Sequence, residues 1–209
     1  MRPSTSKIWL ILVLMSLSAC TTFKGEPYES YITRYGASVF EPAEFAHCHG
    51  YGCRLVSHDA LTTADRAALK KMFKKVKSAE AEREAIKGAI AWFETTVGAR
   101  VGTLGDVRGT YRKLGNDQHD CVDESINTTI YLSLLKQLGH LQHHEIKTPH
   151  ARFPIISGRL GPHQTAVIED IDTKIEYAVD SWFHDNGIAP EIVTEREWFY
   201  GWRPQKDKS

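Results

Sequence analysis

Two strand-like runs lie almost back to back late in the chain, His163-Gln164-Thr165-Ala166-Val167-Ile168-Glu169 and Lys174-Ile175-Glu176-Tyr177-Ala178-Val179-Asp180. Only Asp170-Ile171-Asp172-Thr173 separates them. So short a connection allows antiparallel pairing, whereas parallel strands need a long crossover. With Asp170–Thr173 as the turn, Glu169 stands opposite Lys174 and His163 stands opposite Asp180, on one face. The apolar pattern supports that parity, because Ala166 and Ile168 then share a face with Ile175 and Tyr177. A slip of one residue would mix the faces, while a slip of two would keep the parity and separate the pair. A tight turn on Ile171-Asp172 alone keeps the register but puts a β-branched residue where positive φ is required.

Upstream, the polar loop Gly115-Asn116-Asp117-Gln118-His119 leads into Asp120-Cys121-Val122-Asp123-Glu124-Ser125. Ile126, Ile130, Leu134 and Leu138 follow at four-residue spacing, and Gly139 ends the run. This describes an amphipathic helix with Asp120 as N-cap and Cys121 as its first residue. Free backbone N–H groups and the positive helix end favour a thiolate there. Asp120, Asp123 and Glu124 oppose it, so an activated thiol in this position needs a histidinium partner. A small apolar residue at a helix start is the plain alternative.

An Asp-Cys-x-Asp/Glu helix start, Leu-Gly at the helix end, a strand opening on His and a strand ending on Asp together resemble the transglutaminase-like cysteine peptidases, over about residues 115–187. The resemblance implies a papain-like Cys-His-Asp site made of Cys121, His163 and Asp180. In that chemistry Cys121 attacks an acyl carbon, His163 takes its proton and later protonates the leaving group, and Asp180 orients the imidazole. The Cys121 N–H and one side-chain donor hold the oxyanion, with Gln118 the candidate and His119 the alternative. The implied substrate is a peptide or protein amide. A catalytically inactive binding or scaffold protein on the same fold is the competing reading.

Residues 1–20 read as a targeting segment: Arg2 and Lys7 precede the apolar run 8–17, and Leu17-Ser18-Ala19-Cys20 follows. That ending resembles a bacterial lipoprotein signal in which Cys20 is lipidated and becomes the mature N-terminus. The run is short of the roughly 20 apolar residues a membrane span needs. Thr21 follows Cys20 rather than the Asp linked to inner-membrane retention, so the expected address is the outer membrane, facing the periplasm. Cys48, Cys53 and Cys121 then occupy an oxidising compartment. Cys48 and Cys53 flank the turn-forming His49-Gly50-Tyr51-Gly52 and are expected to form a disulfide. Zinc held by His47, Cys48, His49 and Cys53 is the rival, but these ligands are too crowded for the paired spacings of structural zinc sites. Cys121 remains as the odd thiol, which in an exported protein asks for a function.

The 26 basic and 26 acidic residues balance, so charge provides no argument for nucleic acid. Residues 21–209 have the length of a single domain, with a core expected over about 61–200. Thr63 is the expected cap of one helix, carrying Leu69, Met72 and Phe73. Ser78 caps a second, whose buried stripe is Ile86, Ile90, Phe93 and Val97. Residues 99–119, with four glycines, form a loop bordering the site. Leu141–Ile146 is a further strand, along which His143 and His144 point to opposite faces and so do not share an ion. No metal and no cofactor are expected. The predicted fold is α+β, with amino-terminal helices and the Cys121 helix packed on an antiparallel sheet of four to six strands.

Overall fold

The computed structural model describes residues 26–111, 115–153 and 162–205. Cys20, the expected lipidation residue, and the whole expected targeting segment lie outside these. Among the described residues the chain is mixed α plus β, with five helices and two antiparallel sheets. In order they are α1 (Tyr28–Arg34), β1 (Phe40–Glu41), β2 (Glu44–His49), β3 (Leu55–Asp59), α2 (Thr63–Phe73), α3 (Ala79–Val101), α4 (Cys121–Gln137), β4 (His144–Arg152), β5 (His163–Asp170), β6 (Glu176–Asp180), β7 (Glu191–Thr194) and α5 (Glu195–Phe199). The first sheet runs β1-β2-β3 and the second β4-β5-β6-β7.

Local chemistry explains where the helices start. Ser78 caps α3 through the Ala81 N–H, and Gly102 ends it in the left-handed conformation at φ 88°. At α2 the cap is Thr62 rather than Thr63, because Asp65 three residues on completes a reciprocal capping box. Asp120 caps α4 as expected, with Asp123 as its box partner.

The central helix departs from its amphipathic reading. From Cys121 to Leu135 every residue except Val122 is buried, the polar ones included. The helix is covered on both sides: it contacts β4, β5 and β6 of one sheet and β1 and β2 of the other. Its polar face is therefore met by protein groups instead of water. Asn127 both accepts the Cys48 N–H (2.7 Å) and donates to the Cys48 carbonyl (2.8 Å). The hydrophobic core also reaches upstream of residue 61, to Ile32, Phe45 and Ala46.

The hairpin keeps its parity, but its register is shifted by two. Ala166 pairs with Val179, Ile168 with Tyr177 and Glu169 with Glu176. Asp180 continues that register opposite Thr165, not His163. The cause lies in the turn: the Asp170 carboxylate accepts the N–H groups of Asp172 and Thr173, both at 3.0 Å. Asp170 N–H also bonds the Ile175 carbonyl at 2.9 Å. Asp170 thus ends the strand, the turn is 171–174, and Lys174 takes the left-handed conformation at φ 56°. At the other side of β5, the edge strand β4 carries Pro149 inside an irregularity between Lys147 and His150, where no ladder N–H is required.

Candidate active site

Cys121 occupies the first position of α4 and is 6% exposed. Its Sγ lies 4.0 Å from the carbonyl oxygen of Pro162, the residue before His163. Burial pushes the thiol pKa up to about 12, and the Asp120 and Asp180 carboxylates push the same way. The backbone N–H groups of Gln164 and of Cys121 itself act in the opposite direction and do not prevail. Burial and the acidic neighbours outweigh the helix-start N–H groups, so the protonated thiol is favoured. A second cause is visible in the cap. Asp120 Oδ1 accepts the N–H groups of Val122 (2.9 Å) and Asp123 (3.1 Å), so those donors are spent before they reach the sulfur.

His163 and Asp180 meet despite the shifted register. Two positions off along the pair, on the same face, long side chains still reach one another diagonally. His163 Nε2 lies 2.7 Å from Asp180 Oδ2, and the Trp198 indole N–H donates to the same oxygen at 2.6 Å. His163 Nδ1 is sealed from solvent and has no hydrogen-bond partner among the described residues. With Nε2–H turned to the carboxylate, Nδ1 is the basic nitrogen. The imidazole is walled by Trp182, Phe183 and Trp198, with ring centroids at 4.7, 5.1 and 5.6 Å.

Trp198 was not foreseen as part of the site. It sits on α5, held by the buried Arg152, whose guanidinium stacks on the Trp198 ring at 4.5 Å and donates to the carbonyls of Trp198 and Trp202. Arg152 is itself the cross-strand partner of His163. The only sequence signal was the aromatic richness of 198–202, which carries no position by itself.

Gln118, the expected oxyanion donor, is engaged elsewhere. Its carboxamide donates to the Gly105 carbonyl at 2.9 Å and accepts the Val107 N–H at 3.1 Å, which stitches down the loop after α3. The alternative, His119, is 3% exposed and faces Asp106, Glu124 and His47. The Cys121 N–H is the oxyanion donor left from the sequence reading.

Cys48 and Cys53 form the disulfide, with their Cα atoms 4.6 Å apart. Its loop is fastened to α4: Asp123 accepts the N–H groups of Tyr51 (2.8 Å) and Cys53 (2.6 Å), and Gly50 N–H bonds the Gln118 carbonyl (2.9 Å). The flanking histidines are occupied by other partners. His49 bonds the Asn116 carbonyl and Ser57, while His47 bonds Tyr131. The later histidines disperse as well: His140 stacks on Phe73, His144 bonds Glu82, and His150 bonds Glu195.

Family models, curated proteins and solved structures were all compared with the chain, and none matches it.

Proposed function

We propose that this chain is a thiol hydrolase or acyltransferase of the cell envelope, acting on peptide or amide bonds in the manner of the transglutaminase-like cysteine peptidases. The observation that carries the reading is the oriented imidazole. His163 Nε2 is tied to Asp180, and its Nδ1 is buried, unbonded and next in sequence to Pro162, whose carbonyl the Cys121 sulfur approaches.

The chemistry follows from a thiol that rests protonated. As Cys121 Sγ forms its bond to the substrate carbonyl carbon, the S–H proton passes to His163 Nδ1. The carbonyl oxygen becomes an oxyanion, and the Cys121 N–H is aligned by the helix end to receive it. Asp180 stabilises the imidazolium, and Trp198 holds the carboxylate in place. Collapse breaks the C–N bond, and the departing amine takes the proton from His163. Water then releases the thioester as an acid, or a second amine takes the acyl group. Lipidation at Cys20 would tether this chemistry to the outer membrane. No helix among the described residues is long and apolar enough to cross a membrane.

One observation favours the binding-protein alternative, namely the burial that keeps the thiol protonated. Intact mass spectrometry after incubation with an activated peptide ester separates the two readings. An enzyme gives an acyl adduct on Cys121 that Cys121→Ser abolishes and His163→Ala slows. A protein that forms no adduct with any activated acyl donor is a binding protein. Blocking lipoprotein processing, or Cys20→Ser, tests the anchor separately: lipid labelling that persists in Cys20→Ser defeats it.

A further inference from the structure

At the first turn of α4, three side chains with no role in the thiol chemistry above converge on one imidazole nitrogen. His119 Nδ1 lies 3.4 Å from Asp106 Oδ2 and 3.2 Å from Glu124 Oε1. All three ligand atoms are within 4.8 Å of each other, and all three residues are buried. These spacings have the look of ion pairs, but at neither carboxylate does the geometry of a hydrogen bond hold. Nδ1 is a buried nitrogen with no hydrogen-bond partner among the described residues. Nearby Glu94, 6% exposed, has one oxygen on the Gly187 N–H (2.8 Å) and leaves Oε1 buried and unbonded. It lies within electrostatic reach of all three. Two carboxylates thus face one imidazole nitrogen, and a third lies within electrostatic reach.

We propose that Asp106, His119 and Glu124 form a buried binding site for a divalent transition-metal ion of the zinc class. Ligand bonds of about 2.0–2.2 Å in a tetrahedron put neighbouring donor atoms about 3.4 Å apart, close to the two nitrogen–oxygen separations observed. The donors are already oriented as ligands usually are, each held by its other polar atom. Asp106 Oδ1 accepts the His119 N–H at 2.6 Å, and Glu124 Oε2 accepts the Ser181 hydroxyl at 2.6 Å. The free oxygen of each carboxylate is the one turned to Nδ1. On its other side, His119 Nε2 is 3.2 Å from His47 Nε2, and His47 Nδ1 is 2.8 Å from the Tyr131 hydroxyl.

One proton assignment of that chain leaves room for a cation, with the Thr103 hydroxyl a further partner of His47 Nε2 at 3.1 Å. His119 Nε2–H donates to His47 Nε2, and His47 Nδ1–H donates to Tyr131, which leaves His119 Nδ1 as a bare lone pair directed at the two carboxylates. A bare lone pair against carboxylate oxygens is repulsive unless a proton or a metal cation lies between them. Glu94, with Oε1 buried and unbonded, adds negative charge within electrostatic reach of the site. One imidazole with carboxylates suits zinc or manganese, whereas calcium takes six to eight oxygens. Such an ion joins the loop after α3, the residue before the α4 cap, α4 itself and, through Ser181, the end of β6. It braces the elements that carry Cys121 and Asp180 without touching either.

The test uses the full chain, tag-free and purified without chelator from zinc-supplemented cells. Plasma mass spectrometry is expected to find one zinc per chain in the wild type and none in Glu124→Gln or Asp106→Asn. His150→Gln, which alters the half-buried His150–Glu176–Glu195 group instead, keeps the ion, as does Cys121→Ala. Because the first two variants risk misfolding, the wild type is also treated with a chelator. Its melting temperature then falls by several degrees and returns with Zn2+ but not with Mg2+. Wild type that carries no transition metal and shows no thermal response to Zn2+ overturns the proposal. So does an ion lost from His150→Gln but retained in Glu124→Gln.

Discussion

The carboxylate of Asp123 accepts the backbone N–H of Cys53 at 2.6 Å across 70 residues of sequence, and so ties the disulfide loop to the first turn of the thiol-bearing helix. The same side chain takes the Tyr51 N–H at 2.8 Å and the Asp120 N–H at 3.1 Å. Three backbone donors converge on one fully buried acid. The helix cap, the loop and the disulfide are therefore one unit.

That convergence ranks two substitutions. Closing the short Cys48–Cys53 loop is worth about 2 kcal/mol on the chain-entropy relation. Asp123→Ala strands three N–H groups, at roughly 1–3 kcal/mol for each one left buried and unpaired. Urea unfolding is expected to show Asp123→Ala as the more damaging change, with the Cys48→Ser/Cys53→Ser double variant the milder. The reverse order would mean that the covalent link, not the carboxylate, holds the loop.

A buried thiol pushed up to about 12 makes a kinetic prediction for Cys121. At pH 8 the folded protein, with its disulfide intact, should react with iodoacetamide at least about 100-fold more slowly than the unfolded chain, whose thiol titrates near 8.5. Labelling should accelerate with pH throughout the alkaline range. Ready alkylation at pH 6 would instead reveal a resting thiolate–imidazolium pair.

Trp198→Phe tests the positioning of Asp180. Phe preserves most of the aromatic wall and deletes the indole N–H that bonds Oδ2. Losing one hydrogen bond to a charged acceptor, about 1.5 kcal/mol, corresponds to roughly a tenfold slower acylation of Cys121. The loss should fall on the rate constant and spare KM, since the residue acts on the imidazole's partner. A change confined to KM would place Trp198 in substrate binding.

Acid stability should depend on Glu82. Burial raises its pKa, but the His144 side chain and the N–H groups of Gln142 and His143 outweigh this and hold it below the ordinary 4.5. With the folded value depressed, the group's stabilisation is complete above 4.5 and is lost as pH falls through the folded value. Glu82→Gln weakens the acceptor shared by the His144 side chain and the Gln142 and His143 N–H groups, and is expected to cost about 2 kcal/mol at neutral pH. Melting curves from pH 3 to 7 should show a flatter acid limb for the variant. An unchanged limb would remove Glu82 from the acid transition.

Much of the local structure is legible without the fold. The caps at Ser78 and Asp120 act over two or three residues. The disulfide spans five, and strand parity follows from alternation alone. These depend on neighbours in the chain, so residue type and spacing suffice. Thr62 displacing Thr63 as a cap, and Asp170 moving the turn by one residue, were within reach of the same rules, since each is decided by a side chain two or three positions away.

What tertiary structure alone decided is which surfaces meet. The α4 pattern reads as one apolar stripe, yet sheets cover the helix on both sides, and its polar residues find partners far along the chain. Glu124 reaches Ser181 across 57 residues, and Asn127 reaches Cys48 across 79. The same holds for Trp198 on Asp180 and for Asp106 and Glu124 on His119. Periodicity states that a face is polar or apolar; it does not state what that face will touch. The mixed α plus β architecture and the pairing of Cys48 with Cys53 were thus written in local sequence. The burial that keeps the Cys121 proton on sulfur, and the diagonal that still brings His163 to Asp180, came only from packing.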